Sequence, residues 1–396
     1  MSESKLRIGY IPLVDAAALV VAADCGFAAA EGLDIELVRE VSWSNVRDKL
    51  NIGLFDAAHL LSPMAIASSL GIGHVRIPVI APFNLGLNGN AITVSPRLHA
   101  AMAHLADGDL ADPAVSARAL MRVVEARKSG GADPLTFGMT FPFSNHNYQL
   151  RFWMAAGGID PDEDVRLVVL PPPYMVESLA SGHVDGFCVG APWNSVAVEA
   201  GLGRILHFSS EIMARASEKV LAVRAQWATE RADPLNKLIR ALARAADFVA
   251  EAANRDAVSA AVAKRIEVDP DLVSRTLAGH LRIAPDGATR SDPRYIRIGG
   301  PGANRPDPVQ AAWLYAQIAR WGQAEVSPEL HGIALNVFRP DLYDAALGVT
   351  PPARSDGPSD GIGAFAGPDF VADDIEGYLA AWRIKRGGKP QLSIVR

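Results

Sequence analysis

Between residues 135 and 194 the chain alternates strand-length apolar runs with helical patterns, and its glycines and prolines punctuate each one. Thr136-Phe137-Gly138-Met139 opens into the polar loop Phe143-Ser144-Asn145-His146-Asn147. A helical pattern over 148–156 ends at Gly157-Gly158, and a strand over 165–170 stops at Pro171-Pro172-Pro173. A short helix over 175–181 ends at Gly182, and a last strand over 185–189 runs into Gly190-Ala191-Pro192-Trp193-Asn194. Strand, helix, strand, helix, strand predicts two crossover units, hence a parallel sheet with helices on its faces. Ligands of such sheets bind beyond the carboxyl ends of the strands. Here those ends are 143–147, 171–174 and 190–194, and two of the three are rich in amide, imidazole or indole donors.

The rest of the chain supplies a second α/β unit. Strands are expected over 6–12, 33–38, 55–60 and 75–81, the last ended by Pro82. An Ala/Val-rich helix over 14–25 is capped by Gly26, and Ser42 or Ser44 opens a helix through Leu50. Asn88-Gly89-Asn90 is a turn signal that marks the crossing into a second lobe. The strand 204–208 is expected to return to the first lobe, followed by helices over 233–262, 270–280 and 309–321. The expected division is 1–88 and 201–345 for the first lobe, 89–200 for the second, and 346–396 for a partly ordered C-terminal arm, poor in periodicity until 375–384.

A length of 396 residues suits two lobes of ordinary size. The net charge of −6 argues against direct nucleic-acid binding while leaving room for a small anion, which local donors decide. The N-terminus shows no signal-peptide pattern, and no run of about 18 apolar residues suggests a spanning helix. Cys25 and Cys188 both sit in apolar surroundings, so two buried reduced thiols are expected, in a cytoplasmic chain that does not engage a membrane.

No phosphate loop, nucleophile elbow, zinc-binding His-Glu-x-x-His or paired Cys-x-x-Cys occurs, which turns the reading toward binding without metal or cofactor. A small planar anion needs one fixed cation, several in-plane N–H donors and walls that exclude water. Trp43, Asn88, Asn145, His146 and Trp193 stand at expected strand exits or helix starts, where a cleft would form. Each alone reads as structural, although three adjacent polar side chains in Asn145-His146-Asn147 are costly without partners. Lys219, in Ser217-Glu218-Lys219-Val220-Leu221, reads from pattern alone as an exposed surface lysine.

Several ordered motifs resemble the nitrate/bicarbonate-binding protein family: Phe137-Gly138-Met139-Thr140-Phe141-Pro142, then 151–161, 169–173 and 185–194, with 9–17 and 42–48 upstream. That family comprises solute-binding components of nitrate and bicarbonate ABC transporters and the cytoplasmic NasS-type nitrate sensors. The resemblance implies a two-lobed α/β fold of the type II periplasmic-binding-protein kind with a central cleft. It implies an anion held by a tryptophan, amides and a lysine, which by motif fall on Trp43, Asn88 and Lys219. The loop departs from the family, with Phe143 where histidine often stands and His146 three residues on. A lysine at position 219 implies nitrate or nitrite rather than bicarbonate. The sensor branch implies a protein that sequesters a NasT-like ANTAR antiterminator and releases it when the anion binds. A transport component is the alternative, and an enzyme of the pyrimidine-precursor synthase type fits poorly with two distant cysteines.

Overall fold

Thr136–Met139 lies parallel between Arg166–Val169 and Gly186–Gly190, as the crossover pattern requires. Asn90–Val94 then pairs antiparallel with Gly186–Gly190, and Arg204–Phe208 closes the far edge of this five-stranded sheet. The computed structural model describes residues 5–351 and 361–386. Its other main sheet has six strands in the order Ile296–Arg297, Val79–Asn88, Ser217–Arg224, Ala57–Leu61, Leu6–Tyr10 and Ile35–Arg39. The last three run parallel, while Ser217–Arg224 is antiparallel to both its neighbours. Two mixed sheets with helices on their faces make this the two-lobed α/β fold of periplasmic solute-binding proteins.

Three sequence expectations change. Arg204–Phe208 does not return to the first lobe: it pairs with Asn90–Val94, so the chain crosses back between 209 and 216 rather than near 200. A buried strand carries no local mark of which sheet will accept it. The strand expected to stop at Pro82 runs from Val79 to Asn88. A register shift opposite Leu221 and Val223 bulges the strand where the proline has no N–H to give. Cys25 is exposed just past the helix Ala17–Asp24, and only Cys188 is buried.

The two crossings are pinned together by Asn88. Its backbone takes φ +61° and Gly89 follows at +95°, a left-handed pair that turns the chain out of one sheet and into the other. The Asn88 N–H donates to Ala216 O at 2.9 Å, and its Oδ1 accepts from Ala216 N at 2.9 Å. Helix Ala232–Ala250 covers the first lobe with a stripe of Leu235, Leu238, Ile239, Leu242, Ala246 and Val249, packed on Ala17–Asp24.

The C-terminal arm is more than a loose extension. Phe370, Tyr378 and Leu379 are buried, and Trp313 of helix Pro308–Arg320 meets the Phe370 and Tyr378 rings at 5.3 and 5.5 Å. The arm also reaches the second lobe: Trp382 stands edge-on to Phe152 at 5.0 Å, and Arg386 donates to Asp160 at 2.9 Å and Asp162 at 3.0 Å. Arg320, 1% exposed, lies under Trp382 with its guanidinium carbon 3.7 Å from the ring centroid. Residues 352–360 and 387–396 of the expected arm lie outside the described residues. Trp382→Ala should cost about 3 kcal/mol, because it removes the aromatic cover of a buried cation as well as a packed ring. Arg386→Ala, breaking partly exposed ion pairs, should cost about 1 kcal/mol or less. Urea unfolding of both variants checks the order.

Candidate functional site

Both lobes contribute to one buried polar cluster in the gap between the sheets. From the first lobe come Asp15 in the turn Val14–Ala16, Trp43 at the start of helix Trp43–Asn51, His59 in Ala57–Leu61, and Glu218 with Lys219 in Ser217–Arg224. From the second come Asn90 and the first turns of helix Asn145–Ala156, with Asn145, His146 and Gln149. Local chemistry sets the helix starts. Ser42 Oγ accepts from Asn45 N at 3.3 Å, and Ser144 Oγ accepts from Asn147 N at 3.1 Å, so each serine caps the helix that presents the functional side chain behind it.

Lys219 is at the centre and is wholly buried, contrary to the surface lysine its pattern suggests. Its Nζ donates to Glu218 Oε1 at 2.8 Å, forms an ion pair with Asp15 Oδ2 at 2.9 Å, and lies 5.4 Å from the Trp43 ring centroid. Trp43 in turn packs on His59 at 5.5 Å, and His59 Nε2 is 3.0 Å from Asp15 Oδ1. Neighbouring residues of a strand normally face opposite ways. Register shifts on both sides of Lys219 bring Glu218 and Lys219 into contact despite that.

Burial shapes the charges. Burial alone would push the Asp15 carboxyl up, but Lys219 and His59 overcome it and hold the group far below the usual carboxylate range. Burial raises Glu218, with Lys219 only partly offsetting it. Lys219 loses stability as a cation through burial and regains more from Asp15 and Glu218, so its pKa rises. The imidazoles of His59 and His146 are pushed down, burial being the main cause, and His146 is further depressed by Lys219.

Within this cluster the donors Trp43 Nε1, His146 Nε2 and Gln149 Nε2 lack hydrogen-bond partners, as do acceptor oxygens of Asp15, Asn90, Asn145 and Glu218. The Thr140 hydroxyl lies 3.0 Å from His146 Nδ1. When that hydroxyl donates, the neutral ring carries its proton on Nε2, which stands 3.6 Å from Glu218 Oε1. Asn145 Nδ2 donates to Ser217 O at 2.6 Å, and Asn90 Nδ2 donates to Gln149 Oε1 at 3.1 Å. The amino end of helix Asn145–Ala156 adds its partial positive charge. Unpaired buried N–H groups around one ammonium form a receptor for a small oxyanion.

Of the residues expected at the site, Trp43, Asn145, His146 and Lys219 are brought together. Asn88 stands apart, with its amide nitrogen donating to Ala214 O and Arg294 O and its oxygen taken by Ala216, so it serves the crossover. Trp193 is half-buried at the start of helix Trp193–Glu199, its indole N–H unpaired, and packs against the side cluster of Met175, Leu179 and Phe187. Asp15, His59, Glu218 and Gln149 were not anticipated. Gln149 had a readable signal, because it follows Asn145 and His146 by one helical turn. Among the described residues no group of three or more His, Cys, Asp or Glu could hold a metal ion, and no helix is long and apolar enough to cross a membrane.

The buried histidines make stability depend on pH. His59, His146 and His207 all have folded pKa values below the ordinary value, chiefly through burial. Below about pH 6.5 the unfolded chain therefore binds protons that the folded chain refuses, and stability present above that pH is lost as it falls, by ~1.4 kcal/mol per histidine per unit. Glu218, raised by burial, acts in the opposite sense, and three imidazoles outweigh one carboxyl. Between pH 7 and 5 the ligand-free protein should lose roughly 2–4 kcal/mol, read as a fall in urea midpoint.

The profile of the NMT1-like family matches residues 1–263. The chain is 34% identical over 261 residues to the nitrate/nitrite binding protein NrtA of Nostoc sp., covering 65% of this chain and 56% of that one. It is 32% identical over 388 residues to the bicarbonate transport ATP-binding protein CmpC of Synechocystis sp., covering 96% of this chain and 55% of that one. The chain thus spans little more than half the length of these relatives. The crystal structure of the periplasmic nitrate-binding protein NrtA from Synechocystis superposes with a TM-score of 0.86 at 26% identity, over 97% of this chain and 99% of that one. The family profile covers more than half of the chain, and by it the chain belongs to the NMT1-like family, with nitrate/nitrite-binding and bicarbonate-transport proteins among its homologues.

Proposed function

We propose that this chain is a binding protein, not an enzyme, and that it captures nitrate or nitrite between its lobes. One observation carries the reading: a buried ammonium, Lys219, stands beside unpaired N–H donors of Trp43, His146 and Gln149 contributed by both lobes. An oxyanion in that gap would satisfy donors on each side and hold the lobes together. The NrtA relatives, named for nitrate and nitrite, support the choice of ligand.

The finer reading is a cytoplasmic sensor that holds an ANTAR-type antiterminator and lets it go when the anion binds. Its support is the motif resemblance to NasS-type sensors. Such coupling requires that ligand and partner prefer different lobe arrangements, and it is reciprocal by thermodynamic necessity. The second reading, the solute-binding part of a nitrate, nitrite or bicarbonate import system, is supported by the same relatives.

Calorimetry of the purified protein against nitrate, nitrite, bicarbonate and sulfate tests the ligand. Lys219→Ala should weaken nitrate at least 100-fold, since it strands two carboxylates facing the anion. Trp43→Phe keeps the ring and loses the donor, and should weaken binding about tenfold, the value of one hydrogen bond to a charged group. Nitrate affinity unchanged in both variants would sink the assignment. For the sensor reading, saturating nitrate should lower the affinity for an ANTAR partner; an unchanged partner affinity excludes it.

A further inference from the structure

The cluster holds one more carboxylate than a simple anion receptor needs. Asp15 and Glu218 both contact the single ammonium of Lys219, and all three side chains are at most 2% exposed. With both carboxyls ionised and both imidazoles neutral, the three charges sum to −1 before any ligand arrives. A nitrate would bring that sum to −2 among side chains buried from solvent, where unbalanced charge is most costly. Asp15 has an N–H group close to each oxygen, Lys219 Nζ 2.9 Å from Oδ2 and His59 Nε2 3.0 Å from Oδ1, though neither contact has hydrogen-bond geometry. Glu218 has Lys219 at 2.8 Å on Oε1, while Oε2 is buried without a hydrogen-bond partner.

We propose that anion capture takes up one proton from solvent, carried on Glu218 Oε2, so that the carboxyl changes from a repelling charge into a further hydrogen-bond donor. This rests on the nitrate/nitrite reading above and adds its regulation. The proton bonds to Oε2 as the oxyanion enters, and both return to water on release. The groups facing Glu218 leave it as the acceptor. Lys219, on the same strand, is already protonated, and Asp15 on the turn Val14–Ala16 is held ionised by it. His59 on Ala57–Leu61 and His146 on the helix of the second lobe are pushed toward neutrality by burial. Cys188, on Gly186–Gly190, has its thiol pushed well up, and Tyr295 is likewise raised, so neither competes near neutrality. Burial raises the Glu218 carboxyl itself. A consequence is selectivity: nitrate has no proton and requires the protonated carboxyl, whereas bicarbonate brings a hydroxyl that an ionised carboxylate can accept.

The test is titration calorimetry of the full chain with nitrate between pH 5.5 and 9, in pairs of buffers of different ionisation enthalpy. Nitrate affinity should fall about tenfold per pH unit on the alkaline side, with one proton taken up per anion. Glu218→Gln, which keeps the shape and cannot ionise, should bind nitrate with no proton uptake, while Asp15→Asn should keep the slope. Nitrate binding with no proton uptake at any pH, or uptake that persists in Glu218→Gln, overturns the inference and leaves the nitrate reading standing. Failure of nitrate and nitrite to bind at every pH overturns both.

Discussion

The ion cluster of Lys219 with Asp15 and Glu218 sets the terms for everything around it. Three ionisable groups removed from water are tolerated only when each is held in contact with a partner, and a buried ion pair gains little over an apolar one. Its presence here is therefore a poor explanation of stability and a good one of specificity. The Val14–Ala16 turn supplies Asp15, the irregular start of Ser217–Arg224 supplies both Glu218 and Lys219, and the strand Ala57–Leu61 adds His59, 3.0 Å from Asp15. The Trp43 ring seals that arrangement by covering both Lys219 and His59.

The second lobe completes what the first begins. Its helix Asn145–Ala156 points its amino end at the cluster, with Asn145 bonded to the Ser217 carbonyl and His146 beside Glu218. The other end of the same helix carries Arg151 and Phe152 into an aromatic region shared with Trp313, Trp321 and Trp382. One helix thus couples the polar gap to the apolar seam on which the C-terminal arm lies. Any separation of the lobes would have to loosen both ends together, including the bond from Tyr148 Oη to Gln323 at 2.8 Å. Asn88, by contrast, sits where the two connecting segments run side by side and can act as a fixed point.

Much of this was open to reading from the chain alone, and the reason is local. Alternation, proline stops and glycine ends specified the crossover units between 136 and 190, because strand and helix periods are properties of short windows. Ser42 before Trp43 and Ser144 before Asn145 marked helix starts whose following side chains do meet in the site. The order of motifs gave the two-lobed fold, which the six- and five-stranded sheets bear out.

Other features depend on which distant segments touch. No window around Arg204–Phe208 says that it pairs with Asn90–Val94, and none around Lys219 says that its ammonium is buried against Asp15, 204 positions away. Glu218 meets Lys219 through an irregular register that no window of the sequence shows. The sequence by itself determined the periodic elements and the donor-rich loops, since these follow from neighbouring residues. The tertiary structure alone decided that the lysine has two carboxylates for company, because electrostatic partners are chosen by position in space and leave no trace in spacing along the chain.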